Sequence, residues 1–367
     1  MRIVCVAGAR PNFMKIKPVV DALDARGADT LLVHTGQHFD AAMSDVFFDE
    51  LGLRAPDRYL GVGSGTHAET TARVLVGIEG LLEEWPADVV VVVGDVNSTV
   101  AAALSAAKAG ALVAHVEAGL RSRDWTMPEE VNRVVTDRIS DYLLAPSADA
   151  VANLKAEGYR DDQIHLVGNV MIDTLLANVE RAKQRSIIDA VGVDPGRFGL
   201  VTLHRPANVD DPQMLRTLVD TLGEISEELP LVFPVHPRTR ARLAEMALAP
   251  GIALVEPQGY LDFIALEASA RVVLTDSGGV QEETSALGVA CITLRDNTER
   301  PITVELGTNV VVGRDPQRIR DEVRRAIGHG AQPASEIPGW DGHAGERIAE
   351  VLLAGGGPAG HLRPTDR

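Results

Sequence analysis

Residues 271–301 read RVVLTDSGGVQEETSALGVACITLRDNTERP. An apolar run, Val272 to Thr275, ends in Asp276-Ser277-Gly278-Gly279, and a helical pattern follows from about Val280. A second apolar run, Val289 to Leu294, then delivers Arg295, Asp296, Glu299 and Arg300 onto a loop. Strand, tight turn, helix, strand is a βαβ unit, and such units build parallel sheets. Paired glycines let a backbone come close to a ligand, and the first N–H groups of a helix lack internal partners. Ser277, Gly278 and Gly279 thus form a candidate phosphate cradle. Glu283 lies one turn in, placed for a sugar hydroxyl. The plain alternative is an ordinary turn with a charged surface loop.

The same alternation runs outward through the chain. Strands are expected at Arg2–Ala7, Thr30–His34, Asp88–Val93, Leu112–Val116, Tyr142–Ala145 and Ile164–Val167. Helices are expected at Pro11–Arg26, Ala41–Leu51, His67–Trp85, Thr99–Ala109, Pro128–Ser140 and Ala148–Glu157. Gly168-Asn169 ends this series, and a helix from Met171 to about Arg185 leads away. The pattern restarts at Phe198–Leu203 and continues through Leu231–Val235, Ala253–Val255, Arg271–Thr275, Ala290–Leu294 and Asn309–Val312. Helices at Gln317–Gly328 and Gly345–Leu353 follow, and the Gly/Pro-rich end from Ala354 is expected to fray. A length of 367 residues suits two such α/β domains with doubly wound parallel sheets.

The formal net charge of −17 argues against non-specific nucleic-acid binding and against an anionic membrane surface. Unbroken apolar runs such as Val89–Val93 are far shorter than the roughly 20 residues a membrane helix needs. The N-terminal RIVCVAG reads as a strand rather than a signal peptide. Cys5 and Cys291 both fall in apolar strands without metal-ligand spacing, which suits buried thiols in a reducing cytoplasm. The turn Gly8-Ala9-Arg10-Pro11 after the first strand is not GxGxxG, so no nicotinamide or flavin site is expected.

In open α/β sheets ligands bind beyond the carboxyl ends of the strands. Those ends carry Gly8-Ala9-Arg10, Thr35-Gly36-Gln37-His38, Gly94-Asp95, Glu117-Ala118-Gly119, His204-Arg205, His236-Pro237-Arg238 and Asp276-Ser277-Gly278-Gly279. Any one of them is unremarkable, since loops are polar. Ends from both halves suit two domains facing each other across a cleft. Arg10 and Lys15 flank the start of the first helix, where cations oppose the macrodipole but can neutralise a diphosphate. Thr126-Met127-Pro128-Glu129 reads as a capping box, with Glu129 reaching back to Thr126. Glu129, Arg133 and Asp137 share a helix face. On their own they make a capped surface helix with ion pairs. With Asp95 and Glu117 they can instead form a crowded carboxylate site, in which neighbouring charges separate an acid from a base. His204 is the available proton carrier of the second half.

The motifs together resemble the non-hydrolysing UDP-N-acetylglucosamine 2-epimerases over nearly the whole chain. They are GARPNFMKIKP (8–18), HTGQHFD (34–40), GDVNST (94–99), HVEAGLRS (115–122), MPEEVNR (127–133), VGNVMIDTL (167–175), TLHRPANVD (202–210), PVHPR (234–238), TDSGGVQEET (275–284), RDNTERP (295–301) and DGHAGERI (341–348). The resemblance implies the GT-B fold: two Rossmann-like α/β domains with parallel sheets facing across a cleft. It implies boundaries at 1–169 and 170–344, with a C-terminal helix of about 345–367 crossing back to the first domain. It also implies cofactor-free interconversion of UDP-GlcNAc and UDP-ManNAc, by anti elimination of UDP to 2-acetamidoglucal and re-addition. Asp95, Glu117, Glu129 and His204 are then the acid/base set, and Arg133 orients the carboxylates or the leaving group. Arg10, Lys15, Ser277, Gly278, Gly279 and Arg300 would hold the phosphates, Glu283 the ribose, and the loop from Gln258 to Phe263 the uracil.

Gln37, His38, Arg205 and His236 match an activating second UDP-GlcNAc site of some bacterial members. The stretch Gly61–Thr66 lacks the arginine those members carry, and the MPEE loop also differs, which leaves a modified substrate such as a UDP-diacetamido sugar open. A homodimer in the cytoplasm, feeding cell-envelope polysaccharide synthesis, is the expectation. The rivals are a hydrolysing epimerase, a GT-B glycosyltransferase and a non-catalytic nucleotide-sugar sensor. Gly94-Asp95-Val96-Asn97 lacks the arginine-containing turn usual in the hydrolysing enzymes, and a transferase or a sensor would leave Glu117 and Glu129 without a role.

Overall fold

The computed structural model describes residues 1–36, 50–235, 237–329 and 333–354. Gln37, His38 and His236, and nearly all of the expected helix Ala41–Leu51, lie outside the described residues. The chain divides into two compact units. The first is Met1–Thr174 together with the chain from Pro338 onward, and the second is Leu175–Ile337.

The first unit is built on seven strands: β1 (Arg2–Ala7), β2 (Asp29–His34), β3 (Arg58–Tyr59), β4 (Val89–Val93), β5 (Leu112–Val116), β6 (Tyr142–Ala145) and β7 (Ile164–Leu166). Their order is β3-β2-β1-β4-β5-β6-β7, and every pairing is parallel. Val4 faces Leu31 on one side and Val90 on the other. All five valines of β4 are buried, as expected of a central strand covered on both faces. Each such side chain contributes on the order of 1.5–3 kcal/mol.

The last described helix, Ala344–Leu353, belongs to this unit and lies against the first, Arg10–Ala25. The Asp173 carboxylate accepts the N–H groups of Ala344 (3.1 Å) and Gly345 (2.7 Å), satisfying donors that a helix start leaves open. A Cβ on Gly345 would strike the Pro18 carbonyl, and Trp340 Nε1 donates to the Pro146 carbonyl at 3.1 Å.

The second unit has six strands: β8 (Gly199–Thr202), β9 (Leu231–Pro234), β10 (Ile252–Val255), β11 (Val272–Thr275), β12 (Ala290–Thr293) and β13 (Asn309–Val311). Their order is β10-β9-β8-β11-β12-β13, again all parallel. One face carries a core of Leu215, Leu218, Leu222, Phe233, Leu274 and Ile319 among others. Three of these leucines come from a helix, Pro212–Ser226, absent from the sequence expectation. Its start is nonetheless encoded: Asp211 accepts the Gln213 N–H at 2.9 Å and Pro212 opens the first turn. The expected uracil loop from Gln258 to Phe263 is mostly helix, Tyr260–Ser269, because Gly259 caps a segment whose apolar side turns inward. Phe263 is partly buried against a core cluster that includes Phe198, Leu200 and Leu266.

Each sheet has one switch point where strand order reverses, β1/β4 in the first and β8/β11 in the second. Crevices for ligands open beyond the carboxyl ends at such points.

Candidate functional site

At the first switch point a short turn after β4 carries Gly94 and Asp95. Gly94 has φ +68°, and a Cβ there would sit 3.1 Å from Lys15 Nζ and 3.4 Å from Glu117 Oε2. Only glycine lets the chain turn this close to that pair. Lys15, from the first helix, is buried and donates to the buried Glu117 carboxylate. The sequence expectation puts Lys15 on a phosphate; in the structure its ammonium faces Glu117, 102 positions away. Arg10 opens the same helix. Glu117 itself has φ +72°, a conformation that costs a non-glycine residue about 1–3 kcal/mol and concentrates at functional sites.

Arg133 is 2% exposed and bridges two carboxylates, Asp95 and Glu130. The expected capping box is corrected here. Met127 is the N-cap residue of the helix Pro128–Ile139, and no side chain caps it. Thr126 turns instead to Asp124, donating its N–H (3.0 Å) and hydroxyl (2.6 Å) to Oδ1. The carboxylate that reaches back is Glu130, which takes the N–H groups of Ser122 (2.9 Å) and Arg123 (2.8 Å). Burial pushes its carboxyl up, but these bonds and the charge of Arg133 outweigh it and hold it below the usual range. Glu129 is left half-buried in the first helical turn, beside this fixed neighbour. Sequence spacing alone does not tell these adjacent glutamates apart.

The third member of the expected face, Asp137, is fully buried. It accepts Gly119 N–H at 3.0 Å and lies 2.7 Å from Arg121 Nη1 and 2.6 Å from His115 Nδ1. Its partners give it a framework role within the unit.

At the second switch point, Asp276 directly follows β11 and is fully buried. It accepts the backbone N–H of His204 (3.1 Å) and Arg205 (2.9 Å) and the Asn208 amide (3.0 Å). His204 Nδ1 lies 2.9 Å away, while more than half of that side chain stays exposed. Burial raises the Asp276 carboxyl, but the hydrogen bond and charge of His204 lead a set of donors that holds it low. Asp276 thus fixes His204 by both backbone and ring; the acid at the end of an apolar strand was the sequence signal for it.

The helix after β11 begins at Gly278, with Ser277 extended as N-cap and no side-chain cap. Ser277 N–H donates to Thr275 Oγ1 at 2.9 Å. A Cβ on Gly278 would collide with the Arg300 guanidinium and the Glu299 carboxylate. The close approach permitted by this glycine is therefore to Arg300, which the loop after β12 lays across the helix start. Glu299 receives Arg300 Nη1 and Arg295 Nη2, both at 2.7 Å, and Glu282 lies 2.8 Å from Arg300 Nε. Glu283 is buried, and burial followed by the charge of Glu282 pushes its carboxyl up to about 8. Arg205 is half-buried beside Asp276 and Glu299. Gln258 folds onto its own loop, donating to the Glu256 carbonyl at 2.5 Å.

Among the described residues no group of three or more His, Cys, Asp or Glu side chains is placed to hold a metal ion. No described helix is long and apolar enough to cross a membrane. Cys5 and Cys291 are buried free thiols, each pushed up to about 12, chiefly by burial.

Two parallel α/β units, one with ion-paired carboxylates at its switch point and one with a glycine-rich helix start crossed by Arg300, define a nucleotide-handling class of enzyme. The model of the UDP-N-acetylglucosamine 2-epimerase family matches residues 21–353. A UDP-N-acetylglucosamine 2-epimerase from Methanocaldococcus jannaschii is 43% identical over 97% of this chain and 100% of its own. A UDP-2,3-diacetamido-2,3-dideoxy-D-glucuronate 2-epimerase from Pseudomonas aeruginosa is 42% identical over 96% of this chain and 99% of its own. The crystal structure of the Methanocaldococcus enzyme with UDP-GlcNAc and UDP covers 97% of this chain and 100% of its own at a TM-score of 0.89. The chain belongs to the UDP-N-acetylglucosamine 2-epimerase family, and with it to the epimerases of GT-B-like fold.

Proposed function

We propose that the chain interconverts UDP-GlcNAc and UDP-ManNAc by elimination and re-addition of UDP. Beyond family membership, one observation carries this: Asp95 and Glu117, at the first switch point, each contact a buried cation. The C2 proton of the sugar is a poor acid, so its removal must accompany departure of UDP. Asp95, Glu117, Glu129 and His204 take the acid and base roles. Lys15 holds Glu117 in place and Arg133 orients Asp95. The helix start at Ser277-Gly278-Gly279, with Arg10 and Arg300, stabilises the departing diphosphate; Glu283 takes the ribose, and Gln258 the base.

Incubation with UDP-GlcNAc in deuterated water tests this by NMR. The expected product is UDP-ManNAc deuterated at C2 with little free UDP. Stoichiometric UDP with free ManNAc would show hydrolysis, and no turnover would overturn the assignment. The Pseudomonas relative supports a second reading, in which a UDP-diacetamido sugar is the substrate; turnover of that sugar alone would select it.

A homodimer accompanies this reading. Val76, Leu104, Val131 and Val135 are exposed on three successively packed helices, His67–Glu84, Asn97–Ala109 and Pro128–Ile139. Beside them runs a groove of about 440 Å³ lined by His67, Leu75 and Pro128. Exposed apolar patches of this kind mark association surfaces. Val131→Glu should convert a dimer to a monomer in analytical ultracentrifugation; a monomeric parent chain would refute the dimer. The same reading places the enzyme in the cytoplasm, supplying cell-envelope polysaccharide synthesis.

A further inference from the structure

Asn132 lies on the helix Pro128–Ile139, one step before Arg133, and is half-buried. Its side-chain amide donates to the backbone carbonyl of Asp95 at 2.9 Å and to Asn97 Oδ1 at 3.3 Å. A carbonyl oxygen only accepts, so the atom facing Asp95 is the NH2 group, which has one hydrogen for each oxygen. Arg133 takes the Asp95 carboxylate. Two adjacent residues of one helix thus hold the main chain and the side chain of the same acid.

The bonds continue beyond Asn97, and their direction is fixed. Thr70 Oγ1 is 2.9 Å from the Thr66 carbonyl oxygen and 3.1 Å from that of His67, so its one hydrogen goes to a carbonyl. Toward Asn97 Nδ2, 3.0 Å away, it therefore accepts. This turns Asn97 Oδ1 toward Asn132. Asn97 and Thr70 are both buried. The turn after β4 is tied in this way to three helices, His67–Glu84, Asn97–Ala109 and Pro128–Ile139. An amide on a packed helix ordinarily does no more than fill and bond its surroundings. Here its two acceptors stand on either side of Val96, so one side chain spans the turn. Gly94 opens that turn at φ +68°, and a glycine leaves a backbone free to move unless other groups hold it.

We propose that Asn132 is a positioning residue, which clamps the Asp95 turn by its backbone carbonyl and so sets where the Asp95 carboxylate is presented for proton transfer. Its weight for turnover rests on the reading that Asp95 is catalytic. Arg133 fixes the carboxylate, but a salt bridge to the side chain does not by itself fix the peptide that carries it. With the amide removed, the turn can shift while the ion pair follows it. A reacting group displaced by about 1 Å can lose on the order of 100-fold in rate.

Asn132→Leu, which keeps the volume and removes both donors, is the test. On the sugar nucleotide that the parent chain turns over, its kcat should fall roughly 10- to 100-fold, while calorimetry finds UDP affinity within about twofold. Hydrogen exchange followed by mass spectrometry should speed up roughly 10-fold over residues 94–99 and stay unchanged in the rest of the first unit. A folded variant with normal kcat, or with unaltered exchange at 94–99, would overturn the proposal. Equal losses in kcat and UDP affinity would mark general damage and count against it too, and a purely structural role would lower stability without moving kcat per folded molecule. If Asn132→Leu does not fold, Asn132→Ser, whose hydroxyl is one bond shorter than the amide, is read in the same way. Exchange needs no substrate. A chain that turns over no UDP sugar would therefore sink the proposed reaction and leave the clamp to be judged on exchange.

Discussion

Both units pair buried acids with cations, but the second also buries two neighbouring glutamates, Glu267 and Glu283. In the first unit Glu117 meets Lys15, Asp95 and Glu130 meet Arg133, and Asp137 meets Arg121 and His115. In the second, Glu299 is spent on gripping Arg295 and Arg300, and Asp276 on holding His204. Glu267 and Glu283 are buried there with oxygens that find no hydrogen-bond partner among the described residues. Burial and the neighbouring Glu283 push the Glu267 carboxyl well up. One region sets its carboxylates beside fixed cations. The other, besides its paired acids, buries Glu267 and Glu283 with their carboxyls pushed up.

Arg133→Met is the strongest way to break this contrast. It leaves Asp95 and Glu130 without their cation, and chemical denaturation should show a loss of about 3–5 kcal/mol. A loss below about 1 kcal/mol would mean that the pair behaves like a surface ion pair. Next, Asp95→Asn and Glu117→Gln should each lower turnover by roughly 100-fold or more while calorimetry finds UDP binding intact. Near-normal rates in both would move the proton chemistry elsewhere. Gly278→Ala should act on the other side of the contrast: the new Cβ displaces Arg300, and UDP affinity should fall by an amount equivalent to about 1–3 kcal/mol. Unaltered affinity would show that Arg300 does not serve the nucleotide.

The smallest effect is one of pH. Glu283 is raised from an ordinary 4.5 to about 8, so between those values the folded chain binds a proton that the unfolded chain has released. That contribution is fully present below about 4.5 and is lost as pH rises through about 8. Thermal unfolding should show it as a decline of at most on the order of 1 kcal/mol per pH unit. Glu283→Gln should flatten the decline, and an unchanged slope would assign it to other groups.

Much of the fold was legible because the parallel strands are short runs of Val, Leu and Ile bounded by Gly, Asp and Asn. β1 and β5 fall where the hydrophobic pattern puts them. The helix Pro212–Ser226 was missed although Asp211-Pro212 marks its start. The place of Asp95, Glu117 and His204 just beyond strand ends was legible. The partners that define them were not. Lys15 meets Glu117 across 102 positions and Asp95 meets Arg133 across 38, distances over which periodicity carries no information. The capping contact expected of Glu129 is made instead by Glu130, toward Ser122 and Arg123, because a one-residue step on a helix turns a side chain by about 100° and the Ser122–Arg123 turn exists only in the fold.

The helix Ala344–Leu353 closes the first unit although it lies beyond all of the second in sequence. Its first N–H groups end on Asp173, some 171 positions earlier, and Gly345 fits against Pro18. During synthesis the strands bearing Asp95 and Glu117 emerge long before the segment that completes their unit. The earliest-made half of the enzyme is thus the last to be finished, and loop closure over the whole second unit precedes it. In a nascent chain all of Leu175–Ile337 is made before the first unit receives its final helix.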